Sequence, residues 1–436
     1  MSALEHAAPS AAQAAPRLNR PFVAALMLAN FGTNVALIAP IQNILPRMIE
    51  AAAGSGDKAI GLGLVTGLGA FAALVVNPLA GHYSDRWVSA DNRWVTMLIG
   101  LVTGGVAHFI LGLQHSVVDI AIWWTLCQAT INIAYSPMSA IVVDHVDRRS
   151  WGLVWGLISV AQALGLIIGL AAVVLVFPSV TAGMTAISVG YVVCLIPLVL
   201  VLYRLPRVSY GPPGTSAAPA PGDAARPPGI RSLLSMGQGF GLVWLGKFLI
   251  TLAETIALLY LYYYLQDVVR YRDPGQGQLI LVLIATVAVI IATVAVGRVA
   301  DLSGGYRRYA VLASVVMATT GFLLAGFANW AVVIVCAFTL GAGYGAFQSV
   351  SQALSMVVLP SQANAGRDLG IINIAAAVPQ VIGAPIAGLV VAGAGGYRGL
   401  FVFAGLLALV AAAVFTRVPS PPAAASVTRV KKISDG

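Results

Sequence analysis

Long apolar runs, repeated down the chain and separated by short charged turns, dominate this sequence. A helix needs about 20 mostly apolar residues to cross a bilayer. Twelve runs of that size can be read, at roughly 22–45, 60–81, 94–113, 117–142, 151–176, 183–203, 240–264, 278–299, 309–328, 331–357, 370–393 and 397–416. They are continuous and do not alternate in polarity, so helices are favoured over the strands of a barrel. Composition agrees, because only 9% of the 436 residues are charged, against about 25% in soluble domains. The expected fold class is an all-α membrane protein of twelve transmembrane helices, with membrane lipids as its immediate surroundings.

The two halves of the chain echo each other. Gly81-His82-Tyr83-Ser84-Asp85 reappears in outline as Gly297-Arg298-Val299-Ala300-Asp301, and Gly152, Gln162 and Gly165 find counterparts in Gly370, Gln380 and Gly383. One bundle built twice predicts two pseudo-symmetric six-helix units around a central path. The Pro- and Gly-rich stretch 204–235 separates six runs from six and buries little. The expected organisation is therefore a disordered N-terminal tail over 1–20, a bundle over 21–203, a linker over 204–235, a second bundle over 236–418 and a C-terminal tail over 419–436.

Charge placement gives an orientation. An even number of spans leaves both termini on one side, and that side collects eighteen of the Lys and Arg residues against five on the other. By the positive-inside rule both termini, the linker and both tails are cytoplasmic in a multi-pass cell-membrane protein. The net charge of +9 is then mostly topology, and nucleic-acid binding is not implied. Cys127, Cys194 and Cys336 fall inside apolar runs without a CxxC spacing, so no disulfide or metal framework is expected. Walker-type loops, dinucleotide fingerprints and nucleophile elbows are also missing, which argues against an ATP-driven pump or an enzyme.

Gly81-x-x-x-Asp85-Arg86 with Arg93 between spans 2 and 3, its copy at Gly297, Asp301, Arg307 and Arg308, and Asp144-x-x-Asp147-Arg148-Arg149 after span 4 carry a resemblance. Together with the twelve spans and central linker, the chain resembles the major facilitator superfamily of secondary transporters over residues 20–418. The loop Ser84-Asp85-Arg86 followed by Arg93-Trp94 is more similar to the sugar-cation symporter branches, those for glycosides or sucrose-like sugars. The resemblance implies alternating access, and a monomer is expected. It also implies that Asp85, Arg86, Arg93, Asp144 and Arg148 latch the halves in the outward-facing state, with Gly81, Gly297, Asp301 and Arg307 in the same gating loops. The plainer reading is that these charges fix topology and end helices.

Lys247 and Glu254 are the only Lys, Arg, Asp or Glu far from the end of any span. Such groups are expensive in lipid and usually functional. They lie seven residues apart in span 7, about 20° apart in azimuth and about 10 Å along the axis, with Thr251 between them. Burial disfavours a charged carboxylate, so Glu254 is a candidate proton carrier tuned by Lys247, with H+ as coupling ion and no other cofactor. A structural ion pair is the alternative. Tyr260, Tyr262, Tyr263 and Tyr264 are expected as an interfacial aromatic belt.

Amides form the third pattern. Asn30 and Asn34, Gln128 and Asn132, and Gln348 and Gln352 are spaced i, i+4, one face each. In the superfamily spans 1, 4, 7 and 10 line the path, which makes these amides candidate substrate ligands. Gln162, Asn373, Gln380, Thr251 and Tyr135 join them, with Tyr344, Trp151 and Trp155 nearby. Amides beside rings suit a neutral, hydroxyl-rich small molecule; helix–helix hydrogen bonding is the alternative. The expectation is proton-coupled uptake of a neutral sugar or glycoside. The runner-up is proton-coupled export of a hydrophobic or amphipathic drug or metabolite, although span 5 lacks the Pro that exporter branches carry. A membrane sensor that moves nothing is the third reading.

Overall fold

The computed structural model describes residues 19–83, 93–146, 150–204, 238–357, 365–393 and 395–419. Asp85, Arg86 and Arg148 lie outside the described residues, as do most of the linker and nearly all of both tails. Of Asp144, Gln352 and Asn373 only the backbone is described.

The described secondary structure is helical throughout. In lipid no water can satisfy a free backbone group, so each apolar run closes its hydrogen bonds within itself. Span 1 is Arg20–Ala39, prolonged by a π-helical turn at Pro40–Ile44. The next helix, Leu45–Tyr83, breaks at Gly54, whose φ of 75° and ψ of 174° lie outside the reach of an ordinary side chain. There the chain doubles back and span 2 begins, which brings Lys58 Nζ within 2.8 Å of Glu50 Oε1. Spans 3 to 6 are Arg93–Leu111, Val117–His145, Trp151–Ala171 with a π-helical extension to Val176, and Val180–Arg204. Span 7 is Gln238–Leu259, followed by a short helix Leu261–Asp267. Spans 8 to 12 are Pro274–Ser303, Tyr306–Gly326, Trp330–Val357, Ala365–Ala392 and Gly396–Thr416. Sequence-local signals set several ends: Ser116 accepts from Asp119 N at span 4, and Asp273 accepts from Gln276 N just before Pro274 at span 8.

The packing repeats with the sequence. In the first half span 1 packs on spans 5 and 6, span 2 on span 4, and span 3 on spans 4 and 6. In the second half span 7 packs on 11 and 12, span 8 on 10, and span 9 on 10 and 12, the same pattern moved on by six. The glycine of each loop motif repeats its contact too. A Cβ at Gly81 would lie 3.0 Å from Ser136 Oγ in span 4, and one at Gly297 2.6 Å from Ser349 Oγ in span 10. The halves meet chiefly where span 2 runs along span 11. That seam is tight because Gly63 lies against the Ala384 carbonyl, Gly67 against the Pro385 ring and Gly388 against the Ala59 carbonyl.

Candidate functional site

Between the halves lies a cavity of about 620 Å³, lined from spans 1, 2 and 4 on one side and from spans 7 and 11 on the other. Its polar lining is Gln42, Thr66, Asn77, Gln128, Asn132, Glu254, Thr255 and Gln380; Leu37, Ile38, Ile41, Leu74, Pro78, Leu258, Leu259 and several alanines complete the wall. Glu254 is the one ionisable residue in this lining. Tyr344 lies close enough to interact with its carboxylate, which is how span 10 reaches the site. Lys247 is buried and forms no ion pair with Glu254; both ion pairs among the described residues belong to Lys58. Thr251 is buried beneath Thr255, whose hydroxyl donates to the Thr251 carbonyl at 2.8 Å.

The amides divide into two groups. On the cavity wall, Asn77 Nδ2 donates to Asn132 Oδ1 at 3.1 Å, and Asn132 Nδ2 donates to the Gln128 carbonyl at 2.8 Å. Gln128 is buried and its Oε1 has no hydrogen-bond partner. Away from the cavity, Gln162 Nε2 donates to Asn30 Oδ1 and to the Tyr135 hydroxyl, both at 3.2 Å, while Asn30 Nδ2 donates to the Leu26 carbonyl. That second group ties spans 1, 4 and 5 together, and Asn34 packs beside Gly165 of span 5. Gln348 is half-buried and outside the lining. The expected aromatic rings are also absent from the lining: Trp151 donates to the Val146 carbonyl, and Trp155 is exposed on the outer surface.

One end of the cavity is shut. Lys58 Nζ is 2.8 Å from Asp267 Oδ1 as well as from Glu50, and sits 4.6 Å from the centroid of the Tyr263 ring. Gln266 donates to Glu50, Tyr397 to Asp267, and Gln278 to Gln42. Tyr260 donates to the Ala59 carbonyl and Tyr263 to the Pro46 carbonyl, each at 2.7 Å. These side-chain hydrogen bonds join the two halves at the end opposite the termini. The expected aromatic belt is therefore corrected: Tyr260, Tyr262, Tyr263 and Tyr264 are all buried. Steps of about 100° per residue spread a tyrosine cluster around a helix; here Tyr260 and Tyr263 turn toward the first half and close the path, while Tyr264 donates to the Leu324 carbonyl of its own half.

At the opposite end Asp301 and Arg307 bond within their own half. Asp301 accepts from Tyr306, Arg307 donates to the Val418 carbonyl, and Arg93 is buried at the start of span 3. The expected latch itself rests on Asp85, Arg86 and Arg148, outside the described residues. Of the cavity residues, Gln42, Thr66, Asn77 and Thr255 were not foreseeable as a group, although Asn77 is an amide deep in an apolar run.

The family model described as Major Facilitator Superfamily matches residues 21–304 and 243–433. The chain belongs to the major facilitator superfamily. It is a multi-pass membrane transporter and not an enzyme. No curated protein is matched by sequence. Among solved structures, a single-substitution form of the nucleoside transporter NupG is similar at a TM-score of 0.73 and 14% identity, over 91% of this chain and 99% of that one. NupG without the substitution gives 0.68 and 14%, over 92% and 99%. A bacterial homologue of the human lysosomal transporter Spinster, inward-facing and occupied, gives 0.66 and 12%, over 91% and 96%. At these identities the likeness is one of fold, and it supports a major facilitator superfamily architecture of two six-helix bundles.

Proposed function

We propose that this protein moves a neutral, hydroxyl-rich small molecule, a sugar, glycoside or nucleoside, into the cell together with protons, with both termini in the cytoplasm. The observation that carries the reading is the cavity lining: five amides and two threonines surround a single carboxylate, with no cation beside it. Amides donate to and accept from hydroxyls and ring heteroatoms alike. Leu and Ile side chains, in place of aromatic rings, cover the apolar faces of the ligand. Nucleosides are themselves glycosides, so the NupG neighbour falls in the same chemical class.

Glu254 is the proton carrier in this account. When protonated it is neutral and adds a donor to the lining; when ionised it leaves a charge in a low-dielectric cavity that resists the loaded movement. Rocking of the halves about the cavity then exposes it to each side in turn. With the termini cytoplasmic, the tyrosine and Lys58 seal faces outward and the arrangement is outward-closed.

A second reading, export of an amphipathic molecule, draws on the Leu and Ile wall and on the turning of Asn30 and Gln162 toward each other. Thermal unfolding of purified protein with a panel of neutral glycosides and nucleosides, and of amphipathic drugs, at two pH values separates the two. Stabilisation by a glycoside or nucleoside, reduced in Gln128→Leu, supports uptake. Stabilisation by amphipathic compounds alone contradicts it.

A further inference from the structure

Outside the cavity, the second bundle buries two polar side chains left without partners. Lys247 in span 7 is 4% exposed, and its amine has neither an ion pair nor a hydrogen bond among the described residues. Ser351 in span 10 is 2% exposed, and its Oγ is buried without a partner.

Two observations put them at one depth. Spans 7 and 10 pack together and run antiparallel, and the proximity of Tyr344 to Glu254 sets their register. Lys247 precedes Glu254 by seven residues and Ser351 follows Tyr344 by seven. Both therefore lie about 10 Å from that pair toward the termini, on nearly the same helix faces as its two members. Independently, the Phe415 ring of span 12 lies directly on Gly246 and 5.9 Å, centroid to centroid, from Phe347. One ring thus touches the neighbour of Lys247 and a residue one turn before Ser351.

Lysine brings three donors and no acceptor, and a serine hydroxyl can donate as well. An ammonium without a counter-ion is strongly disfavoured in lipid. An acceptor of single negative charge placed between the two satisfies both, and the apolar Phe347 and Phe415 walls leave that attraction unscreened. We infer that Lys247 and Ser351 form a binding site for a monovalent anion between spans 7 and 10. The ligand chemistry is that of chloride or a carboxylate, either free in solution or carried by the transported molecule. The site stands apart from the proton reading of Glu254.

Purified wild-type protein in a bulky sulfonate buffer is titrated with sodium chloride, sodium acetate and sodium glucuronate, with glucose and the sodium sulfonate as controls, while thermal unfolding is followed. The expected result is a saturable rise in Tm with chloride and acetate that is absent in Lys247→Met. Ser351→Ala raises the apparent Kd about tenfold. The anion-dependent increment is compared, because Met alone alters the baseline Tm; should Lys247→Met not fold, the Ser351→Ala shift carries the test. A Lys247-dependent rise with glucuronate only assigns the anion to the transported molecule. No rise beyond the sulfonate control, or one unchanged by both variants, overturns the site. The readout needs no proton gradient, so failure of proton-driven uptake leaves it standing.

Discussion

Lys58 of the first half and Asp267 of the second sit 2.8 Å apart, and this contact closes one mouth of the cavity. Lys58 is nearly buried while its two carboxylate partners are about a third exposed (27% and 32%). Solvent screening therefore limits what the pair contributes, to about 1–2 kcal/mol.

Removing that contact should loosen the seal. Asp267→Asn is expected to shift the balance toward an open mouth by about five- to thirtyfold. A cysteine placed at Gln42 reports it through its rate of labelling by a membrane-impermeant maleimide. An unchanged rate would mean that the tyrosine hydrogen bonds hold the mouth alone.

The seam between spans 2 and 11 depends on side chains that are missing. A Cβ at Gly63 would lie 2.6 Å from the Ala384 carbonyl and 2.9 Å from the Tyr260 hydroxyl. Gly63→Val should cost about 1–3 kcal/mol of stability, lower Tm, and speed labelling at Gln42 because the two spans can no longer close.

The two amide groups should respond differently. Gln162→Leu removes the bonds to Asn30 and Tyr135, and its effect should appear as a loss of about 0.6–1 kcal/mol in unfolding measurements. Asn132→Leu removes a cavity amide and leaves Asn77 without its acceptor. It should raise the apparent Kd for a stabilising glycoside or nucleoside about tenfold or more. Equal effects of the two on ligand affinity would erase the distinction between wall and scaffold.

These contrasts mark how far the sequence could be read. The twelve crossings, the repeat and Glu254 were legible because lipid imposes a length on every helix and a large cost on every charge. Gln128, Asn132 and Gln380 were legible as cavity amides for a related reason. What an apolar sequence does not encode is the rotation of a helix that is hydrophobic all round. Asn30 and Gln162 look no different in sequence from Asn132, yet they face each other. The tyrosines after Leu259 read as an interfacial belt until the short helix Leu261–Asp267 turns them inward. Lys58 and Asp267, far apart in the chain, carry no local sign that they meet.

The central claim is that Glu254 couples protons to movement through the cavity. Proteoliposomes holding wild-type or Glu254→Gln protein, given an inward proton gradient and the glycoside or nucleoside that stabilises the purified protein, test it most directly. Wild type should accumulate the ligand above its external concentration, whereas Glu254→Gln should equilibrate it and exchange it across the membrane without accumulation. Gradient-driven accumulation by Glu254→Gln at the wild-type level would contradict the account.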